Sequence, residues 1–114
     1  MRHSIFSLFL VVLLLAASGN IALAKRIALV IGNDTYQDVV SLKKAVNDAK
    51  AIGDALEKVG FEVHRAENVV RRDMNFQLQS FFSKLRPGDQ ALFFYAGHGI
   101  EIAGRNYLLP TDIP

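Results

Sequence analysis

Ala91-Leu92-Phe93-Phe94-Tyr95-Ala96-Gly97-His98-Gly99 is the stretch on which the fold turns. Six apolar residues in succession, with no polar alternation, read as a strand covered on both faces, as in a parallel sheet. The run is the most apolar one after residue 24, which predicts a central strand, and Gly97-His98-Gly99 marks its end. Upstream, Ile27-Ala28-Leu29-Val30-Ile31 repeats the pattern and stops at Gly32-Asn33-Asp34. Phe61 to Ala66 alternates apolar with polar residues, as a half-exposed strand nearer the sheet edge does.

Between the first two strands, Leu42, Ala45, Val46, Ala49, Ile52, Leu56 and Val59 step by three and four. That spacing predicts a helix over 42–59, with Ser41 as N-cap and Gly60 just past its end. Met74, Leu78, Phe81, Phe82 and Leu85 predict a second helix, which Pro87-Gly88 ends. Strand, helix, strand, helix, strand implies an α/β fold with a parallel sheet and helices on both faces. Ile100–Ile102 and Asn106–Leu109 flank Ala103-Gly104-Arg105 as a small rim hairpin. Three main strands, two helices and a hairpin leave the central strand with an uncovered edge, a pairing hazard. The chain reads as the first half of a domain.

Residues 1–24 stand apart, since 17 of them are hydrophobic. Met1, Arg2 and His3 precede an apolar stretch from Ile5 to Ala17. Ser18-Gly19-Asn20 breaks it, and Ala22-Leu23-Ala24 has the small-x-small pattern that a signal peptidase reads. The stretch is short of the roughly 20 residues needed to span a bilayer. The expectation is a signal peptide cleaved before Lys25, a single small domain over 25–114, export to the periplasm or the exterior, and no stable membrane insertion after cleavage. An uncleaved anchor is the alternative.

The chain has 13 Lys+Arg against 11 Asp+Glu, both signs interspersed, without the one-sided basic stripe of a nucleic-acid binder. It contains no cysteine. Disulfides, cysteine-zinc sites, c-type haem and a thiol nucleophile within these residues are thereby excluded. Neither His98 nor His64 has a second ligand at metal spacing, so no metal site and no cofactor are expected. His64 reads as a surface residue.

Ligands of open parallel sheets bind outside the carboxyl ends of the strands. His98 falls there, directly after the central strand, with its imidazole expected at the solvent edge and able to exchange a proton near neutrality. Its flanking glycines would leave room for a substrate chain and allow unusual backbone angles. A turn histidine whose ring caps a backbone group is the competing reading. Asp48 falls roughly 80° from the apolar stripe of its helix, on the flank, while Asn47 points outward. Asp48 is equally explained as an acid favoured by the helix dipole. Asn33 and Asp34 fit loop-forming and N-capping roles. A lone Gly32 lacks the glycine spacing that cradles phosphates.

Four pieces together carry a resemblance. They are Ile27 to Asn33 followed by Tyr36; Asn47-Asp48-Ala49 leading to Gly60-Phe61-x-Val63; Phe93-Phe94-Tyr95-Ala96-Gly97-His98-Gly99; and Gly104-x-Asn106-Tyr107-Leu108-x-Pro110-x-Asp112. This order resembles the N-terminal part of the large-subunit (p20-type) domain of caspase-like cysteine peptidases, bacterial metacaspase relatives in particular, over nearly all of residues 26–114. The resemblance implies a cysteine-type endopeptidase acting on peptide or protein substrates. It implies His98 as the catalytic histidine and Gly99 as a backbone N–H donor of the oxyanion hole. It further implies Asp48 as the floor of a pocket for Arg or Lys. The family's nucleophile is a cysteine about 50 residues beyond the histidine, and the sequence ends 16 residues beyond His98. The expected partner is therefore the missing C-terminal half of the domain, and the chain by itself is expected to be inactive. The alternative is a non-catalytic caspase-like module that binds a peptide or pairs with another chain through its open edge.

Overall fold

The computed structural model describes residues 3–16 and 24–114. The break at Ser18-Gly19-Asn20 and most of the cleavage pattern, Ala22 and Leu23, lie outside the described residues. The elements in chain order are β1 (His3–Ala16), β2 (Arg26–Gly32), α1 (Ala45–Lys58), β3 (Glu62–Glu67), α2 (Arg71–Ser83), β4 (Gln90–Ile102) and β5 (Arg105–Leu108). They form one mixed sheet in the order β1-β4-β2-β3, with β5 also on β4. β2 runs parallel to both β3 and β4, as the strand-helix alternation implies.

The unbroken apolar runs have their physical reason in the two layers. Ile27, Leu29 and Ile31 of β2 join Phe93 and Tyr95 of β4 against Met74 and Phe81 of α2. Val30 joins Phe94 and Ala96 against Ala45 and Ala49 of α1 on the opposite face. Successive side chains of a strand point to opposite faces, so a strand with a helix on each side must be apolar throughout. β3 lies at the sheet edge and shows the alternation expected there, with His64 half-exposed beside Glu62 at 2.7 Å.

Several expectations need correction. β4 does not stop at Gly97 but continues to Ile102, because residues 99–102 pair with β1 and with β5. Local glycine signals yield there to ladder hydrogen bonds on both sides. The edge expected to be open is paired antiparallel with β1, whose residues were read as the apolar part of a leader. Phe82 does not belong to the buried face of α2 and is 51% exposed.

The rim hairpin forms, but Arg105 pairs with Ile102 as the first residue of β5 instead of joining the turn, so Ala103 (φ 51°) and Gly104 (φ 80°) make a two-residue loop with both residues left-handed. Such a loop matches the twist of the strands it joins.

The helix cap also differs from expectation. Ser41 is not the N-cap of α1, which begins at Ala45; the Ser41 hydroxyl instead accepts the N–H of Tyr36. The Asp34 carboxylate, at the end of the first strand's loop, accepts the N–H groups of Ala45 (2.8 Å) and Val46 (3.1 Å). A negative charge there meets the positive end of the helix dipole and satisfies two donors that the helix cannot. The loop is held from its other side by Asn68, whose side-chain oxygen accepts the N–H groups of Asp34 and Thr35.

Asp34→Ala is therefore expected to cost about 1–2 kcal/mol, in the upper range for lost caps because two N–H groups lose their acceptor. A lowered urea midpoint checks this, with Asp34→Asn losing less.

Candidate functional site

His98 sits on the face of β4 that α1 covers, two and four residues after Ala96 and Phe94. It does not reach the solvent edge as the sequence suggests: the residue is 2% exposed. Its Nε2 lies 2.7 Å from the carbonyl oxygen of Val40, in the loop before α1. A carbonyl oxygen can only accept, so Nε2 carries a proton and donates it to Val40. The Tyr36 ring packs edge-on against the imidazole, with centroids 4.6 Å apart. The ring thus does bond a backbone group, as the competing reading had it, but the bond spans 58 residues.

The backbone at His98 is held from beneath by two buried tyrosines. The His98 N–H donates to the Tyr36 hydroxyl at 2.8 Å, and the Tyr95 hydroxyl donates to the His98 carbonyl at 2.7 Å. The two hydroxyls are 3.1 Å apart, and both lie within 3.0 Å of the Leu109 carbonyl oxygen. Asn33 completes the group, donating to the same carbonyl at 3.3 Å and accepting the N–H of Val69 at 3.0 Å. Burial pushes both phenols above their ordinary range, the Tyr95 hydroxyl far above it, so they stay neutral donors at any physiological pH. Among the described residues no buried side-chain polar atom lacks a partner.

Tyr36 and Tyr95 support the His98 backbone although sequence reasoning gave them no role, and Asn33, read as a loop-forming or capping residue, bonds Leu109 and Val69 instead; all three stand within the motifs of the resemblance. Their polar tips at the ends of apolar runs were the available signal.

This cluster explains Gly97 differently from the sequence reading. Gly97 is not among the residues with positive φ. A Cβ built there would lie 2.8 Å from the Tyr36 hydroxyl oxygen and closer still to that of Tyr95. The glycine is required by the approach of two hydroxyls, not by substrate access or an unusual backbone angle. Gly99 is buried and paired with Leu108 of β5 and Phe6 of β1.

Asp48 lies in the first turn of α1, half-buried, with Asn47 outward, as the helical phase predicts. It borders a cavity of about 210 Å³ whose other walls are Ala51, Ile52, Phe94 and Leu10 of β1. Phe94 is four residues before His98 on the same face of β4, so the carboxylate and the imidazole share one side of the sheet.

Gly97→Ala is expected to lower the thermal midpoint by the equivalent of about 1–3 kcal/mol, the usual cost of forcing a group into a filled site. A neutral result in thermal denaturation would contradict the tyrosine packing.

Comparison with known proteins agrees with this architecture. The family model described as the caspase domain matches residues 25–113. The human mucosa-associated lymphoid tissue lymphoma translocation protein 1 is 32% identical over 89 residues, which cover 78% of this chain and 11% of the relative. Its mouse homolog matches with the same identity and coverage. The chain thus spans about a tenth of the length of the curated relatives it matches. No solved structure matches it significantly. With a parallel α/β core, a histidine held at the end of its central region and a family match across nearly all of residues 25–114, the chain belongs to the caspase-domain family of peptidases.

Proposed function

We propose that these residues are the histidine-bearing part of a cysteine-type endopeptidase. The supporting observation is the 2.7 Å hydrogen bond from His98 Nε2 to the Val40 carbonyl, which orients the imidazole at the C-terminal end of the parallel strands. Since the 114 residues hold no cysteine, the thiol comes from a segment outside them. The His98 imidazole takes the thiol proton, the thiolate adds to the scissile carbonyl, and the C–N bond breaks as His98 returns the proton to the leaving amine. Water then hydrolyses the thioester, with His98 again as base. The Gly99 N–H, with that of the cysteine, stabilises the oxyanion, each such donor contributing on the order of 2.7–4 kcal/mol in known proteases.

Asp48 is the selectivity residue in this reading. A carboxylate bordering a cavity whose walls outside β1 are the apolar Ala51, Ile52 and Phe94 favours a long cationic side chain, whose methylenes pack on Ile52 and Phe94 while its head pairs with the acid. The Tyr95-Ala96-Gly97-His98-Gly99 and Asn106-Tyr107-Leu108-x-Pro110-x-Asp112 pieces support a place in the bacterial metacaspase branch. Residues 1–24 act as an export leader, so the protein works in the periplasm or outside the cell after cleavage following Ala24.

The test uses the chain extended by the sequence encoded downstream of Pro114. Cleavage after Arg or Lys is expected, with His98→Ala lowering kcat/KM by a factor of at least about 1,000. Asp48→Ala is expected to abolish the preference for Arg and Lys while leaving the fold intact. Full activity of His98→Ala contradicts the catalytic role. A stop codon at that point, with a folded soluble product, favours the non-catalytic pairing module instead.

A further inference from the structure

The nitrogen of Lys25 is the atom that cleavage after Ala24 would liberate, and its surroundings are already built for a charge. The Lys25 N–H donates to Asp89 Oδ1 at 2.9 Å, and the Lys25 carbonyl accepts the N–H of Gln90 at 2.9 Å. The residue just after the scissile bond is therefore docked on both sides, at the start of β2. Asp89 is 3% exposed, and its second oxygen accepts the N–H of Arg86 at 2.9 Å. Among the described residues no ion pair reaches Asp89. The carboxylate is bonded directly only to backbone N–H groups, with the Lys25 and Arg86 charges near it but not in contact, and buried charges are ordinarily paired.

We propose that Asp89 is the receptor for the α-ammonium group of Lys25 that leader cleavage creates. A leader peptidase supplies the step: water adds across the Ala24–Lys25 amide, the C–N bond breaks, Ala24 keeps a carboxylate and Lys25 N gains protons. The neutral N–H···O bond to Asp89 thereby becomes an ammonium–carboxylate pair at the same position, without movement of the strand. The new terminus is locked to the turn before β4, while the same cut releases β1 from the chain. β1 pairs with Gly97 and Gly99 and leaves two residues, Ser7 and Leu8, opposite His98. Processing thus fastens the start of β2 and detaches the segment that runs past the candidate site. The proposal rests on the leader reading of residues 1–24 and not on the peptidase reading; a product that does not begin at Lys25 refutes the leader reading, and an ordinary amine in a Lys25-initiated product refutes the pairing itself.

The charged groups around the pair set the sign of its pH dependence. The Lys25 and Arg86 side chains face Asp89, and Glu62 lies near Lys25. The N–H groups of Lys25 and then of Arg86 hold the Asp89 carboxyl below its usual range, so it is ionised wherever the amine is charged. The paired amine is stabilised in its charged form, which raises its folded pKa above the ordinary value of about 7.7–8.0. The added stability is then complete below about pH 7.7 and is lost as pH rises through the folded pKa.

The test starts from the full chain, produced in a cell that exports it, with the recovered product weighed by mass spectrometry. The expected product begins at Lys25, and its α-amine, followed by NMR, titrates above about pH 8.5 rather than in the ordinary range. The Asp89→Asn variant, and a product carrying one extra N-terminal residue, are expected to return the amine to that range. A different N-terminus, or an amine in Lys25-initiated protein that titrates ordinarily, overturns the proposal. The wild-type titration is decisive even if Asp89→Asn does not fold.

Discussion

The carbonyl oxygen of Leu109 and the hydroxyls of Tyr36 and Tyr95 form the knot on which the rest of the site depends. Three separate segments end there: the loop after β2, the body of β4 and the return from β5. Each hydroxyl is buried and neutral, and together they grip the N–H and carbonyl of His98. A hydrogen bond to a buried group matters chiefly through the cost of losing it, about 1–3 kcal/mol for each group left unsatisfied. Several such bonds converge on one residue, so the backbone of His98 is determined by its surroundings before its side chain is considered. The Val40 carbonyl then orients the imidazole, and Gly97 is the residue that lets the hydroxyls come close.

Much of this fold is legible in the sequence because its signals are local. The apolar runs of β2 and β4, the alternation of β3 and the helical stripe through Ala49 and Leu56 follow from the two faces each element must cover. The flank position of Asp48 is a matter of helical phase. What escapes local reading is made by residues far apart. Asp34 caps a helix 11 residues later. The Tyr36 hydroxyl meets Tyr95 across 59 residues and Leu109 across 73. The continuation of β4 through two glycines depends on partners on both sides, which no turn rule includes. The burial of His98 comes from the Tyr36 ring and the Val40 carbonyl laid over its face of the strand, contacts made across 62 and 58 residues.

The two ends of the chain's chemistry are complementary. At the C-terminal end of the parallel strands, His98 and Asp48 share the α1 face of the sheet. At the opposite end of β4, Asp89 holds Lys25, the residue just before β2, through its nitrogen. β1 spans both, from Ala16 opposite Gln90 to His3 opposite Ile102. The proposed cleavage acts on the short connection between β1 and β2, so a single hydrolysis would alter both ends of the central strand.

The protonation of the His98 ring tests the central claim most directly. Its two nitrogens can be distinguished by their 15N shifts and couplings in the folded chain near neutral pH. A proton held on Nε2 and donated to Val40 is the expected result. A proton on Nδ1 in the neutral ring, or the averaged pattern of a freely exchanging surface imidazole, would contradict it.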